Sequence, residues 1–282
     1  MLNTPILFII FNRPDLTEQV FNEIKKQQPK QLFIAADGPR FDAHSDLELC
    51  KQTRSIINKI DWPCELKTLF RDQNLGCGKA VSSSISWFFD QVEEGIILED
   101  DCLPNDSFFV FCETLLEKHR NNQTAMHIGG SNFHFGKKYS NTSYYFSAIP
   151  HVWGWATWRR AWRLYDFNLS DLNYFLNQNK IYNYVSDKKT YSFWFEIFCK
   201  MNQKKIDTWD YQWQYAIWNN NGLAIIPSVN LIKNIGFGSN ATHTKEQHEF
   251  ANMPTFEMQK IIYNDEIKIN RVADEAFFKI NK

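Results

Sequence analysis

Short apolar runs alternate with amphipathic stretches over the first hundred residues. Ile6–Ile10, Leu32–Ala35 and Gly95–Leu98 are apolar runs of the kind expected for strands buried on both faces of a sheet. Glu65–Phe70 is a further predicted strand. Residues at helical spacing predict three helices. The first has Leu16, Val20 and Ile24 on one face, and the second has Leu49, Thr53, Ile56 and Ile60. The third has Val81, Ile85, Phe88 or Phe89, and Val92. This order predicts an α/β fold with a mostly parallel, doubly wound sheet and right-handed crossovers.

The second half of the chain has a less regular pattern. We predict helices at Phe108–Leu116, Trp158–Tyr165 and Asp207–Asn219, with further helical stretches between Leu172 and Met201. We predict short strands at Met126–Ser131, Tyr144–Ala148 and Leu223–Ile226. Two local signals concern helix ends: Ser45–Glu48 matches a capping box, and Gly222 is the expected end of the helix that starts at Asp207.

The overall composition disfavours several classes of protein. Lysine and arginine number 31 against 32 aspartate and glutamate residues, a net charge of -1, and this balance does not suggest a nucleic-acid partner. The apolar run Pro5–Phe11 is too short for a signal peptide or a membrane span. Six cysteines without a C-x-x-C pair are typical of reduced thiols. We therefore expect a cytoplasmic protein with at most peripheral contact with the inner face of a membrane.

Polar side chains follow each of the four predicted strands in the first half. In chain order they are Asn12 and Arg13; Asp37, Gly38 and Arg40; Arg71, Asp72, Asn74 and Gly76, with Lys79 close behind; and Glu99, Asp100 and Asp101. Ligands of open α/β sheets bind outside the carboxyl ends of the strands. Each group by itself also fits an ordinary turn or helix start. Their coincidence at four successive strand ends indicates one shared binding crevice.

The three adjacent carboxylates Glu99, Asp100 and Asp101 carry the chemical prediction. At the end of a buried strand they repel one another unless a cation neutralises them. Oxygen ligands favour Mn²⁺ or Mg²⁺, and such an ion can bridge a diphosphate and stabilise the charge that leaves with it. The alternative is a solvated acidic turn, which the basic residues at the neighbouring strand ends disfavour.

Several segments of the chain follow the order of motifs in one known family. They are Pro5–Arg13, Phe33–Gly38, Ile97–Asp101 followed by Pro104 and Phe108-Phe109, Gly154-Trp155, and Trp209–Trp213. The segment Ile97–Asp101 resembles the D-x-D-type motif of GT-A nucleotide-sugar glycosyltransferases, in the E-D-D form of the N-acetylglucosaminyltransferase I type. The similarity spans roughly residues 5–243 and is confined to these motifs. Trp209–Trp213 departs from the W-D-D-W stretch of that type by having Tyr-Gln before the second Trp.

This resemblance implies a GT-A fold and a metal-dependent transferase that uses a nucleoside-diphosphate sugar. Asp101 would contact Mn²⁺ or Mg²⁺ directly. Asp100 would face the donor ribose or a water on the metal, and Glu99 would bond the donor sugar or brace the loop.

The resemblance also implies how the nucleotide is bound. Phe11, Asn12 and Arg13 would lie along it, and Asp37 would bond a uracil ring. UDP is therefore the expected nucleotide, and a UDP-sugar such as UDP-N-acetylglucosamine is the expected donor. Trp155 lies in the segment that precedes the acceptor side of the family's site.

Arg71, Asn74 and Lys79 complete the expected nucleotide-binding group. Gly76–Lys79 resembles a phosphate loop only superficially, because it lacks the full spacing and a Ser or Thr after the lysine. We interpret it as the glycine-rich start of a helix whose Lys79, together with Arg71, helps to hold the nucleotide.

Asp210 is the candidate general base. Trp209, Trp213 and Ile217 form an apolar stripe at i, i+4 and i+8. Asp210 lies just beside this stripe, where a carboxylate can take the proton of an acceptor hydroxyl. The alternative is an ordinary first-turn acid of a helix that Asp207 caps.

Two further groups have both a functional and a structural interpretation. Gly236–His243 suits a mobile loop over the donor, in which His243 either completes the metal shell or is a plain surface residue. Trp153, Trp155 and Trp158 either line the sugar sites or pack in the core between the two halves.

The sequence thus predicts an inverting, metal-dependent glycosyltransferase. Its expected acceptor is a glycan or lipid-linked glycan, a precursor of a bacterial surface polysaccharide. We expect one catalytic domain at 1–250, with a nucleotide-binding half at 1–103 and an acceptor-side half at 104–250, followed by a helical extension at 251–282. One alternative is a sugar-nucleotide nucleotidyltransferase, which normally has a long glycine-rich loop after the first strand. Another is a non-catalytic carbohydrate-binding module, which explains the 10 tryptophans but not the acidic triplet.

Overall fold

The computed structural model describes residues 1–237, 250 and 253–280. Its strands are β1 (Ile6–Ile10), β2 (Gln31–Ala36), β3 (Glu65–Phe70), β4 (Glu94–Glu99), β5 (Cys102–Pro104), β6 (Ala125–Gly129), β7 (Tyr144–Ser147), β8 (Trp155–Trp158), β9 (Leu223–Pro227) and β10 (Ile232–Asn234). Its α-helices are α1 (Pro14–Gln27), α2 (Asp46–Arg54), α3 (Cys77–Phe89), α4 (Asp106–His119), α5 (Arg159–Trp162), α6 (Leu172–Asn177), α7 (Lys188–Asn202), α8 (Asp210–Asn219) and α9 (Arg271–Ile280). Short 3-10 helices lie at Ser55–Lys59 and Lys180–Asn183. Within these described ranges no helix combines the length and apolar character needed to cross a bilayer.

Eight of the strands form one mixed sheet in the order β3-β2-β1-β4-β8-β6-β9-β7. β3, β2, β1 and β4 are parallel neighbours, and β6 is parallel to β9. β8 and β7 run antiparallel to the strands they pair with. Most strands therefore point the same way, and the predicted mostly parallel, Rossmann-like α/β sheet flanked by helices is confirmed.

The register of the central strands brings their carboxyl ends to one edge of the sheet. Ile10 of β1 pairs with Ala36 of β2, and Ile9 of β1 pairs with Glu99 of β4. Every residue of β1 is buried although successive side chains point to opposite faces, so both faces of the sheet are covered here. The polar segments that follow these strands therefore start side by side.

The flanking helices bury the residues whose spacing predicts them. α1 begins at Pro14, where the missing backbone N–H costs no helical hydrogen bond, and it buries Val20 and Ile24. α3 buries Ile85 and Phe88. The apolar stripes thus face the sheet, as their periodicity predicts.

The predicted helix at Trp158–Tyr165 is wrong in its extent. Trp155–Trp158 forms β8, which pairs with both β4 and β6, and α5 covers only Arg159–Trp162. Hydrogen bonding to strands on both sides decides the conformation of β8, and those partners lie far away in the sequence. The antiparallel pair β5 and β10 escapes prediction for the same reason.

Two predicted helix ends also differ. Ser45 precedes α2 but already has helical backbone angles, so its hydroxyl does not cap the helix and the capping box does not form. α8 begins at Asp210 rather than at Asp207 and ends before Gly222. Asn221 takes the left-handed conformation there (φ 54°), which asparagine tolerates better than most side chains.

Asp207 caps a different helix from the one expected. Its two carboxylate oxygens accept hydrogen bonds from the backbone N–H groups of Cys77 (3.1 Å) and Gly78 (3.0 Å) at the start of α3. Gly76 precedes this helix with φ 79°, and a Cβ there would lie 2.7 Å from Asp207 Oδ2. Asp207 thus satisfies unpaired N–H groups of α3 and ties the segment before α8 to the first half of the chain.

An aromatic cluster fixes α8 against the sheet. Trp155 of β8 is fully buried and stacks on Trp209, with ring centroids 5.5 Å apart. Trp213 donates from Nε1 to Nδ1 of His127 (3.2 Å), so His127 carries its proton on Nε2 and donates it to the main-chain oxygen of His151 (3.1 Å). Burial lowers the pKa of His127 to about 3 and keeps the ring neutral. Trp155 therefore packs in the core. This is the structural interpretation of this residue, as opposed to a place in the wall of a sugar site.

The C-terminal helix α9 is anchored to β7. Asp274 accepts hydrogen bonds from Ser147 Oγ (2.6 Å) and from the N–H group of Ala148 (2.8 Å). Burial raises the pKa of Asp274 to about 6. This anchor places the aromatic side chains of α9 beside the segment that leads to β8.

We expect Asp207→Ala to lower the free energy of unfolding by about 1–2 kcal/mol, because two N–H groups of α3 lose their acceptor. Chemical denaturation followed by tryptophan fluorescence measures the change. Asp171→Ala is the matched control, since Asp171 precedes α6 without a capping hydrogen bond, and its effect should stay within about 0.5 kcal/mol. Equal losses in the two variants would contradict the remote cap.

Candidate functional site

The acidic triplet Glu99, Asp100 and Asp101 lies at the end of β4, beside the end of β1. The N–H group of Phe11 donates to Asp100 Oδ2 (3.3 Å). The guanidinium of Arg13 pairs with Asp100 and, through Nη1, with Asp101 Oδ2 (2.9 Å). The structure thus brings together the polar residues after the first and fourth strands. Arg13 provides part of the positive charge that three adjacent carboxylates require.

Burial separates the roles of the two aspartates. The side chain of Asp100 is 3% exposed and that of Asp101 is 19% exposed. Burial raises the pKa of Asp100, and the charge of Arg13 opposes this rise. For Arg13, burial lowers the pKa, but the two carboxylates more than offset it, so the pKa is raised overall. Asp100 is therefore a buried partner of Arg13, and Asp101 is the more accessible acid.

Glu99 is the third member of the triplet and is partly exposed. Burial raises its pKa, and the negative charges of Asp101 and Asp100 raise it further, while Arg13 lowers it. The charge of Asp210 also raises it. Asp210 therefore lies close enough to act electrostatically on the triplet.

The segment after β10 packs directly on Asp101. The N–H group of Ile235 donates to the main-chain oxygen of Asp101 (2.8 Å). A Cβ at Gly236 would lie 2.3 Å from Asp101 Oδ2, so only glycine fits here without a shift. Cys102 Sγ lies 3.5 Å from Asp101 Oδ1. The β5–β10 pairing creates this contact, and no local sequence signal reveals it.

The end of β2 forms a second polar group beside the first. Asp37 accepts hydrogen bonds from the N–H groups of Gly38 (2.9 Å) and Leu75 (3.0 Å). Asn74 donates from Nδ2 to the main-chain oxygen of Gly38 (2.9 Å). Burial raises the pKa of Asp37, against the lowering effect of these N–H groups. A carboxylate has about four lone-pair sites, so Asp37 retains acceptor capacity.

Several predicted nucleotide-binding side chains have other partners. Asn12 donates to Asp46 Oδ1 (2.7 Å), a buried acid that also accepts from Arg40 Nε (2.6 Å). Arg71 donates to the hydroxyls of Ser83 (2.8 Å) and Ser84 (3.0 Å) on α3.

The remaining predicted residues also differ in placement. Lys79 is exposed on α3, and Trp155 lies in the core behind the site. His243 falls outside the described residues, so its predicted ligand role stays a prediction.

Asp210 stands at the start of α8 with its side chain partly exposed. The hydroxyl of Thr208 donates to its Oδ1. Cys77 lies at the start of α3. Burial is the main reason that the pKa of its thiol is raised to about 12, and the charges of Glu99, Asp207, Asp210 and Asp101 also raise it. Carboxylates from two separate segments, 99–101 and 207–210, therefore act on Cys77. Sequence spacing does not reveal that Cys77 and Asp207 lie near the triplet.

Asp210 also lines a cavity of about 610 Å³. We call it the aromatic cavity. Its wall comes from the segment after β6, the segment before β8, α7, the first half of α8, and the chain from Phe237 onward. It is lined by Phe133, Ile149, Pro150, His151, Val152, Trp153, Lys189, Thr190, Phe193, Trp194, Asp210, Tyr211, Gln214, Phe237, Phe250, Phe277 and Phe278.

Among the described residues, no group of three or more His, Cys, Asp or Glu side chains is arranged to hold a metal ion. Mg²⁺ and Mn²⁺ can also bind through one or two carboxylates together with substrate phosphates and waters. Asp101 keeps a partly accessible carboxylate, which is an oxygen ligand of the kind these ions take. Its role as a metal ligand stays a prediction.

Comparisons with known proteins leave the function open. No family model matches the sequence, and no curated protein matches it. HddC from Yersinia pseudotuberculosis is similar in structure with a TM-score of 0.32 and 9% identity, over 46% of this chain and 58% of that chain. UDP-glucose pyrophosphorylase complexed with UDP-glucose is similar with a TM-score of 0.30 and 14% identity, over 52% of this chain and 62% of that chain. These TM-scores are too low to indicate an activity, which has to follow from the site.

We expect Arg13→Gln to destabilise the protein by about 3–5 kcal/mol at pH 8, because buried carboxylates lose their counter-charge. Without Arg13 the folded-state pKa of Asp100 rises further above its unfolded value. The cost of keeping Asp100 charged in the folded variant is therefore present above the pKa that Asp100 has in the unfolded chain. This cost is relieved as the pH falls through the pKa of Asp100 in the folded variant, so Arg13→Gln should lose less stability at pH 5. Urea denaturation at both pH values measures it.

Arg159→Gln is the control for this prediction. The side chain of Arg159 is similarly exposed (20%), but its partner Glu93 is 78% exposed and stays solvated. Its loss should be about 1 kcal/mol and nearly equal at the two pH values. A pH-independent loss in Arg13→Gln would show that the pair does not neutralise the triplet.

Proposed function

We propose that this protein is an inverting, metal-dependent glycosyltransferase that moves a sugar from a UDP-sugar to a hydroxyl of a glycan acceptor. One observation carries the proposal. Asp210 lines the aromatic cavity and follows Asp207, the cap of α3, by three residues, and its charge acts on Glu99 of the acidic triplet. A carboxylate in this place stands between a donor held at the strand ends and an acceptor held in the cavity.

The donor side follows from the three strand ends. Asp37 has acceptor capacity for the N–H group of a nucleobase, and Arg13 is positioned beside Asp101 to contact phosphate oxygens. Asp101 would hold Mn²⁺ or Mg²⁺ together with the diphosphate. The ion supplies stabilisation of the charge on the departing nucleoside diphosphate.

The transfer step follows from the position of Asp210. Its carboxylate takes the proton of the acceptor hydroxyl, and the hydroxyl oxygen forms a bond to the anomeric carbon of the donor. The bond from that carbon to the diphosphate oxygen breaks, and the electron pair leaves with UDP. The attack comes from the face opposite the leaving group through an oxocarbenium-like state, so the anomeric configuration inverts.

The rival nucleotidyltransferase reaction finds less support in the geometry. β1 ends at Ile10 and α1 begins at Pro14, so only residues 11–13 connect them. A long glycine-rich loop, which that class normally uses to hold a nucleotide triphosphate, has no place in this connection. A non-catalytic carbohydrate-binding module would have no need of the converging carboxylates around Cys77.

We expect the protein with Mn²⁺ to release UDP slowly from at least one member of a panel of nucleotide sugars. Asp210→Asn should lower kcat for transfer by about 10²–10⁴-fold and change the donor KM little, because the base contacts the acceptor. Coupled detection of UDP measures the rates. Asp90→Asn, an exposed acid at the opposite end of α3, is the control and should retain full activity.

Three outcomes would contradict this proposal. Pyrophosphate-dependent formation of a nucleoside triphosphate would make the protein a nucleotidyltransferase. Binding of sugars without turnover of any donor would indicate a binding module. Full transfer by Asp210→Asn would place the base elsewhere.

We expect Mn²⁺ to bind weakly to the protein alone and about tenfold or more tightly with saturating UDP, because the diphosphate supplies most of the ligands. Electron paramagnetic resonance of free Mn²⁺ measures both constants. Asp101→Asn should abolish most of the UDP-dependent gain, and Asp72→Asn, an exposed acid after β3, should leave it unchanged. Tight binding without UDP, or an unchanged gain in Asp101→Asn, would rule out this mode of metal binding.

A further inference from the structure

The wall of the aromatic cavity is apolar over most of its surface. Rings from separate segments face it, among them Phe133, Trp153 and Phe193. Aliphatic side chains and a proline fill the gaps between them. Such a wall favours a ligand with a large apolar surface, since each buried methylene group contributes about 0.8 kcal/mol to transfer out of water.

Among the polar groups of the wall, Thr190, Gln214 and Asp210 have protein partners, whereas the buried Nε1 of Trp194 has none among the described residues. Thr190 donates its hydroxyl to Asp187 Oδ2 (2.6 Å). Gln214 donates from Nε2 to the main-chain oxygen of Ala148 (2.9 Å). The pKa of His151 is lowered well below its usual value by burial, so the ring is neutral. A free oligosaccharide has hydroxyls on every side, and those that face the rings and aliphatic side chains of the wall would lack partners.

Asp210 and Lys189 are the charged members of the wall. Asp210 lies at the start of α8, three residues after the Asp207 that binds the start of α3, so the polar part of a ligand belongs at this end. The apolar part then extends along the rings toward Phe193, which is 50% exposed on α7.

On the basis of the proposed function, we infer that the aromatic cavity binds an amphiphilic acceptor, in which a hydroxyl-bearing sugar is joined to an apolar aglycone. The sugar places one hydroxyl at Asp210, and the aglycone lies on the aromatic wall. This arrangement makes the aglycone a determinant of acceptor affinity, whereas the chemistry takes place on the sugar.

Octyl β-glucoside and methyl β-glucoside are probes that share one sugar and differ in the aglycone. We expect octyl β-glucoside, kept below its micelle concentration, to bind about tenfold or more tightly than methyl β-glucoside. Isothermal titration calorimetry and quenching of tryptophan fluorescence measure both without turnover. n-Octanol serves as the third ligand and should bind more weakly than octyl β-glucoside.

Two exposed phenylalanines on α7 provide a matched pair of variants. Phe193 (50% exposed) lines the cavity, and Phe195 (39% exposed) does not. Phe193→Ser should weaken the binding of octyl β-glucoside by about fivefold and leave methyl β-glucoside unchanged. Phe195→Ser should change neither constant, and both variants are expected to fold because both side chains are partly exposed and lie outside the buried core.

Equal affinities for the octyl and methyl glucosides would overturn the inference, as would equal effects of the two variants. Octanol binding as tightly as octyl β-glucoside would show an apolar site without sugar recognition and would overturn it too. Transfer assays separate this inference from the proposed function. UDP release with equal KM for both glucosides would leave the transferase standing and remove the amphiphilic acceptor, whereas selective octyl β-glucoside binding without turnover of any nucleotide sugar would remove the transferase.

Discussion

The ion pair between Arg13 and the carboxylates after β4 underlies the whole site. The parallel register of β1 and β4 places Arg13 beside Asp100 and Asp101, which would repel each other at a partly buried edge without this cation. The pairing also gives the two neighbouring aspartates different environments. Asp100 is buried against Arg13 and the N–H group of Phe11, while Asp101 keeps an accessible side chain. A structural ion pair and a candidate ligand therefore arise from adjacent residues.

A second set of contacts brings Asp210, the proposed base, to this edge of the sheet. Asp207 accepts hydrogen bonds from the start of α3, and the next residues lead into α8. Behind them Trp155 stacks on Trp209, and Trp213 is bonded to a neutral His127. These contacts join segments that lie far apart in the sequence. They fix the start of α8, and with it Asp210, against α3 and the sheet. A mobile helix start would leave the distance between the proposed base and the donor undefined.

The proposed activity and the proposed acceptor depend on the same spatial order. Asp210 lines the aromatic cavity, and its charge acts on Glu99 at the end of β4. In the proposed reaction, a charged nucleotide bound at the strand ends and an amphiphilic acceptor bound in the cavity would meet at this carboxylate. The hydrated diphosphate would then stay away from the aromatic surface, which favours the aglycone of the acceptor.

Local patterns determined much of the fold on their own. The apolar runs of β1, β2 and β4 and the stripes of α1 and α3 are properties of short stretches, and the structure confirms them. The grouping of Arg13, Asp37 and the acidic triplet also follows from sequence, because the residues after parallel strands meet at one edge. The roles assigned to these residues remain predictions.

Only the tertiary structure decided which of these polar residues face the crevice. Asn12 and Arg71 turn to Asp46 and to α3, and Trp155 enters the core, since long-range partners compete for each side chain. The strand β8, the remote cap of α3 by Asp207 and the packing of Gly236 on Asp101 depend on pairing between distant segments. The aromatic cavity also depends on the tertiary structure, because its wall is assembled from several distant parts of the chain. A sequence records the local preference of each segment, whereas contacts between distant segments exist only once the chain has folded.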